Sequence, residues 1–210
     1  MGSAPETVGV VIGNHTHKYT AHNPAIRWLT ERWVANLDRT FGQVSRDRSG
    51  PPPGLALEVG CGEGVIAARM QRRWGAVVAL DLPDAGLRAD WRGVPGPRFL
   101  HASAHQLPFG DDQFDVVVAA EVLEHLPDPV RGLQEMARVG RRHLVLSVPR
   151  EPVFRSCNLL AGRYVRDLGN TPGHLNHWTR RGFVSLLARY GEVIEVRSPF
   201  PWTMLLVAVR

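Results

Sequence analysis

Apolar residues recur at three- and four-residue spacing from Ile26 through Leu29, Trp33 and Leu37 to Phe41, behind a proline, Pro24, at a position suited to a helix start. This predicts an amphipathic N-terminal helix. The turn-forming stretch Ser49-Gly50-Pro51-Pro52-Pro53-Gly54 must interrupt any helix or strand and is read as a boundary. Beyond it the period changes. Short apolar runs over 55–59, 77–80, 114–119 and 144–148 alternate with helix-length segments over 65–74, 85–91 and 129–139. Such alternation predicts a parallel sheet covered on both faces. Thr179 starts a further helix with Phe183, Leu186, Leu187 and Tyr190 in register. The last two runs, 193–197 and 205–209, are separated only by Ser198-Pro199-Phe200-Pro201 and a few flanking residues, so they are expected to pair antiparallel as a closing hairpin.

Length and composition narrow this picture. At 210 residues, 44% hydrophobic and 21% charged, the chain is of ordinary globular type and can bury roughly 70% of its unfolded surface in one domain with an elaboration. Two cysteines cannot build a disulfide framework or a four-thiolate zinc site. No charged-then-apolar leader and no run of about 18 apolar residues is present, so a soluble, cytoplasmic protein is expected. The net charge is +5, and of the 25 basic residues only Lys18 is a lysine. Arg72-Arg73, Arg141-Arg142 and Arg180-Arg181 are scattered pairs rather than a run, which argues against a nucleic-acid reader.

The chemistry begins at Glu58-Val59-Gly60-Cys61-Gly62-Glu63-Gly64, which ends one predicted strand and opens a predicted helix. Glycines there let the backbone turn sharply and let a ligand approach the helix N-terminus. A dinucleotide fingerprint would need a third glycine where Val65 stands, which weakens a hydride-transfer reading. Alternate glycines behind an acidic residue suit S-adenosylmethionine instead. Asp81 ends the next run, and a carboxylate at a neighbouring strand tip can accept both hydroxyls of a ribose.

Together with Leu107-Pro108-Phe109, Phe114-Asp115 and Glu121-Val122-Leu123-Glu124-His125-Leu126-Pro127-Asp128-Pro129, these residues make the chain resemble the class I S-adenosylmethionine-dependent methyltransferases over about 54–148. Within that superfamily it looks most like the small-molecule branch that includes ubiquinone-biosynthesis O-methyltransferases. The resemblance implies a Rossmann-like α/β fold: a seven-stranded, mostly parallel sheet with an antiparallel C-terminal hairpin. It also implies cofactor contacts across the first, second and fourth strand ends. Gly60 and Gly62 would border the methionine part, Asp81 and Leu82 the ribose and adenine, and Ala104 the adenine edge; Glu121 would lie beneath the methionine amine. Glu58 and Cys61 complete the cofactor set, with Cys61 read as a small buried residue rather than a nucleophile. Where relatives usually carry an aspartate for the adenine amino group, this chain has Ser103, so adenine recognition is expected to use backbone groups, the serine hydroxyl or His105.

A hydroxyl acceptor needs a base, and histidine is the natural choice with an unperturbed pKa of about 6.5. Of nine histidines, His125, His174 and His177 are the catalytic candidates, because their stretches should approach the cofactor from the C-terminal side of the sheet. Glu121, Glu124 and His125 also have i, i+3, i+4 spacing, so with His177 they form an alternative divalent-metal set, as the resemblance to Glu-x-x-Glu-His relatives implies. The stretch 149–178 is too long for an ordinary strand-to-helix connection and is read as a substrate lid. Its Val153, Phe154, Leu159, Leu160, Tyr164, Val165 and Leu168 can form an apolar wall, with Arg155, Arg163 and Arg166 adding positive charge. That pairing points to a greasy acceptor bearing an anionic group, or to peripheral contact with a membrane surface. Tyr19, Arg155, Arg163 and Trp178 are the substrate-contact candidates.

The expected organisation is a cap and helix over 1–50, then a methyltransferase domain over 51–210 carrying the lid. The expected activity is methyl transfer from S-adenosylmethionine to a small or lipid-like acceptor, at oxygen first, with nitrogen and carbon as the other acceptor atoms. RNA methylation, a non-catalytic cofactor-binding module and a nicotinamide dehydrogenase are the competing readings.

Overall fold

The computed structural model describes residues 23–47, 50–51 and 53–209. Asn23 caps the first helix, α1 (Pro24–Arg46), its side-chain oxygen accepting from the Ala25 N–H at 2.9 Å, with Pro24 in the first turn. The helix runs past Phe41 because Val44 continues its buried stripe.

The strands are β1 (Leu55–Val59), β2 (Ala76–Asp81), β3 (Arg98–His101), β4 (Phe114–Ala120), β5 (Gly140–Pro149), β6 (Gly191–Arg197) and β7 (Trp202–Val209), and they form one sheet in the order β3-β2-β1-β4-β5-β7-β6. Only β7 runs against its neighbours, pairing antiparallel with both β5 and β6. The closing hairpin is therefore present, but its second strand lies inside, beside β5, and β6 takes the edge. The sequence pattern missed β3, an edge strand of four residues with none buried, too short and too mixed to stand out as an apolar run.

Side-chain alternation splits the core in two. Val116 and Val118 of β4, Val145 of β5 and Met204 and Leu206 of β7 face one cluster, which holds α1 through Trp33, Leu37 and Phe41. The same cluster takes in α2 (Val65–Gln71) through Ile66 and Met70, and α3 (Ala85–Arg92) through Leu87 and Trp91. Val117, Ala119, Leu144, Leu146, Leu205 and Val207 face the other, covered by α4 (Pro129–Val139) through Leu133 and Met136 and by α6 (Arg180–Leu187) through Phe183 and Leu187. α2 stops three residues short of the expected end. The chain turns after Gln71 so that Trp74 can stack on Phe41, with 4.8 Å between ring centroids, and donate to the Ser45 hydroxyl.

The lid expected over 149–178 contains α5 (Val153–Leu160) and a 3-10 turn at Val165–Asp167, neither with a buried residue. Part of its apolar surface points outward, Leu160 being 90% exposed and Leu168 68%, while Phe154 packs inward on His174 and Trp202. No helix among the described residues is long and apolar enough to cross a membrane.

Candidate active site at the strand tips

All the expected site residues with described positions lie at or beyond the C-terminal ends of β1 to β5, where an open α/β sheet places its ligands. Gly60 turns at φ +71°, and a Cβ there would lie 2.5 Å from Val122 Cγ2, so the tight turn out of β1 tolerates only glycine. Gly62 turns at φ +48°, and a Cβ there would meet nothing within 4 Å. The loop closes against open space at that residue. Its backbone is fixed from behind: the Gly60 and Cys61 N–H groups donate to the Leu80 carbonyl, and the Gly62 N–H donates to Asp81 Oδ2 at 2.7 Å.

Asp81 Oδ1 accepts from the Leu82 N–H at 2.7 Å, so each carboxylate oxygen takes one backbone donor and keeps capacity for another. Four residues outside the sequence reading stiffen this corner. Trp91 Nε1 donates to the Gly62 carbonyl at 2.7 Å, and its ring stacks on Phe99 and packs against His101. Arg88 donates to His101 Nε2, so the other ring nitrogen carries the proton and donates to the Leu82 carbonyl. Nothing local in the sequence marks these residues. Cys61 is buried, and desolvation together with the Glu58 and Asp81 carboxylates pushes its thiol far above the ordinary value, so it stays protonated and inert. Glu58 itself is buried in β1.

At the expected adenine edge, the Ser103 hydroxyl turns back on its own loop and accepts from the His105 N–H at 3.2 Å, while Ala104 is buried beside it. Arg138 braces the stretch that follows. It grips both Glu135 oxygens and Asp111 at 2.8 Å and donates to the carbonyls of Phe109 and Leu107.

Glu121 directly follows β4, in the left-handed region at φ +63°. Its N–H donates to the Ser147 carbonyl, its Oε1 accepts from the Ser147 hydroxyl at 2.9 Å, and its Oε2 accepts from the Trp202 indole. A 3-10 turn at Leu123–His125 follows. There the structure brings together Glu124, His125 and His174, one ligand-capable atom from each lying within 4.8 Å of the others. His125 Nδ1 lies 2.9 Å from the Gly173 carbonyl, which fixes the proton on that nitrogen and leaves Nε2 as the acceptor. The His174 ring meets His125 edge-on at 4.9 Å, and burial, with His125 and His177 nearby, pushes its pKa down to about 3.

The metal set expected from sequence is not gathered as such. Both Glu121 oxygens accept from Ser147 and Trp202, and exposed His177 pairs its Nε2 with Asn170 Oδ1 at 2.7 Å; His174 stands in the cluster instead. Of the substrate-contact candidates, Arg155 lines a cavity of about 590 Å³ together with Arg166, Asn170 and His177. Arg163 is exposed and lies over the Tyr164 ring, Trp178 packs on Phe183, and Tyr19 falls outside the described residues.

Residues 57–146 match the methyltransferase domain family. Curated relatives include a ubiquinone biosynthesis O-methyltransferase of Pseudomonas paraeruginosa, 26% identical over 58% of this chain and 56% of its own length. An uncharacterized methyltransferase of a Mycobacterium species is 39% identical over 40% of this chain and 34% of its own. The chain thus spans about half the length, or less, of the curated relatives it matches. Among solved structures, magnesium protoporphyrin IX methyltransferase from Synechocystis, with bound SAH, superposes with a TM-score of 0.66 at 18% identity, covering 92% of this chain and 91% of that one. The open face at Gly62 and the spare acceptor capacity of Asp81 fit an adenosyl ligand that carries no phosphate, in a loop where Val65 replaces the dinucleotide glycine. Sheet order, glycine turn and family match converge: over 57–146 the chain is similar to methyltransferase domains, and its sheet has the fold of solved S-adenosylmethionine-dependent methyltransferases.

Proposed function

We propose that the domain methylates an oxygen of a small or lipid-like acceptor, with His125 as the base. The observation that carries this is the His125 ring: its Nδ1–H is tied to the Gly173 carbonyl, so Nε2 is held as a fixed acceptor one 3-10 turn beyond Glu121. When bound, S-adenosylmethionine supplies an electrophilic methyl on a sulfonium, open to in-line displacement. In this reading Gly60, Cys61 and Gly62 border the methionine part, Glu58 supports the loop from β1, and Asp81 and Leu82 take the ribose side. Ala104 and Ser103 lie at the adenine edge, and Glu121 faces the cationic amine. His125 takes the acceptor's hydroxyl proton. His174, held neutral by burial, is too weakly basic for that task and serves as a hydrogen-bond acceptor beside it. Arg155 and Arg166, at the cavity within the 149–178 stretch, meet an anionic group on the acceptor, while the outward Leu159, Leu160, Val165 and Leu168 favour an apolar body or a bilayer surface.

A second reading is supported by the close approach of Glu124, His125 and His174. A carboxylate and two neutral imidazoles, one oriented by a backbone carbonyl, are the donor set of a divalent-ion site. Those three residues would hold the ion, which when bound acidifies a coordinated hydroxyl.

Transfer of an isotope-labelled methyl group into a cell extract, followed by the chemistry of the labelled product, tests the assignment. Label recovered in an alkali-stable ether of a small molecule, lost in His125→Ala, supports it. Label in RNA, or none at all, would replace it with RNA methylation or with a non-catalytic cofactor-binding module. Exhaustive chelation that leaves turnover unchanged removes the metal. Sedimentation with anionic but not neutral vesicles supports the membrane contact, and no sedimentation with either removes it.

A further inference from the structure

Glu121 stands at the end of a one-way chain of donors. An indole N–H can only donate. Trp33 Nε1 of α1 donates to the Ser147 hydroxyl oxygen at 2.9 Å, so the Ser147 proton is free to go to Glu121 Oε1, 2.9 Å away. Trp202 Nε1 of β7 donates to the other oxygen, Oε2. Trp33 and Ser147 are each 1% exposed, and Trp202 is half-buried against Trp33, with 6.2 Å between centroids. Two elements, β5 and β7, thus aim hydrogen-bond donors at one carboxylate, with α1 backing the first of them, an arrangement that favours the ionised group. The left-handed backbone of Glu121 is strained, and strain of that kind persists where the surroundings over-determine a geometry. A side chain that only filled space would need neither the strain nor the donors.

We propose that Trp202 and Ser147, with Trp33 acting through Ser147, are positioning residues that hold the Glu121 carboxylate ionised and oriented toward the ammonium of the cofactor's amino-acid tail. This rests on the placing of Glu121 at that amine, made above. A carboxylate held by two donors before ligand arrives loses little freedom when the cation binds, which is where affinity for the tail originates. The N-terminal helix is thereby part of the cofactor site, although Trp33 reaches it only through a hydroxyl on β5. The lid is joined as well: Phe154 of α5 packs on Trp202 at 6.0 Å and on His174 at 5.8 Å, so one aromatic series runs from the acceptor side to the Glu121 clamp.

The test compares two ligands of the full chain by calorimetry. S-adenosylhomocysteine carries the amino-acid tail, and methylthioadenosine lacks it but keeps the adenosine. Trp202→Phe keeps an aromatic ring and deletes one donor, Ser147→Ala deletes the other, and Trp33→Phe cuts the chain one link back. The expected result is at least tenfold weaker binding of S-adenosylhomocysteine for Trp202→Phe and Ser147→Ala, a smaller loss for Trp33→Phe, and methylthioadenosine affinity within twofold of wild type in all three. A merely structural role would weaken both ligands together, and that outcome, or no weakening of either, overturns the proposal. Glu121→Gln separates the layers. If it weakens the tailed ligand while the three donor variants do not, the positioning role fails and the Glu121 assignment stands; if it weakens neither ligand, the assignment itself fails.

Discussion

Gly60 and Gly62 sit two residues apart, both at positive φ, yet alanine should have opposite consequences at the two positions. At Gly62 the new Cβ would meet no atom within 4 Å, so the folding cost is limited to the left-handed backbone, about 1–2 kcal/mol. For a chain of this size that lowers Tm by roughly 2–8 °C, at about 2–4 °C per kcal/mol. At Gly60 the same backbone cost is joined by a Cβ 2.5 Å from the buried Val122 side chain, and overpacking adds about 1–3 kcal/mol. Gly60→Ala should therefore melt well below Gly62→Ala. Binding should reverse the order of specificity: the Gly62 methyl projects into the space assigned to the cofactor, so S-adenosylhomocysteine affinity falls at least about 30-fold, or about 2 kcal/mol, in a protein that is otherwise well folded. Differential scanning calorimetry and titration calorimetry read the two quantities separately. A Gly62→Ala protein that melts a few degrees low and binds S-adenosylhomocysteine as tightly as wild type would refute the reasoning, because the open face of the loop would then face no ligand.

Asp81→Ala should weaken S-adenosylhomocysteine binding by about 1–3 kcal/mol, since the carboxylate anchors the Gly62 and Leu82 N–H groups as well as accepting from a ribose; unchanged affinity in calorimetry would move the ribose elsewhere. Burial holds His143 below the usual imidazole value despite the Asp47 carboxylate 3.1 Å away. The folded state thus binds this proton more weakly than the unfolded chain, and stability should be complete above about pH 6.5 and fall as pH drops below it. His143→Gln should flatten that acid limb by at most about 1.4 kcal/mol per pH unit, read from denaturant melts at pH 7, 6 and 5; parallel curves for the two proteins would contradict the buried-imidazole account. Arg138→Ala removes donors to Glu135, Asp111 and two carbonyls, and because the guanidinium is a third exposed the cost should stay near 1–2 kcal/mol, with faster amide exchange confined to 107–111; exchange unchanged there would show that the loop stands without its brace.

The period-2 and period-3.6 patterns and the turn residues are local properties, and they were enough to place α1, α4, four of the parallel strands and the final hairpin from sequence. Gly60, Gly62 and Asp81 were legible for the same reason: a sharp strand-to-helix turn and a strand-tip carboxylate are each written in a few neighbouring letters. The edge strand β3 was not, because four half-buried residues gain their structure from pairing with β2 rather than from their own pattern. The position of β7 between β5 and β6 depends on which strand buries both faces, a comparison only the assembled sheet makes. The polar cluster depended on the fold still more. Glu121 was a partner of His125 by spacing, with His177 completing the expected set, but the 149–178 stretch brings His174 to that place and His177 pairs with Asn170. The clamp on Glu121 joins positions 114 and 81 residues apart in sequence, Trp33 donating to Ser147 and Trp202 to Glu121. Hydrogen bonds across such separations leave no local periodicity, so chemistry at a single turn could be read from sequence, whereas chemistry shared between α1, β5 and β7 existed only once the sheet had closed its layers around it.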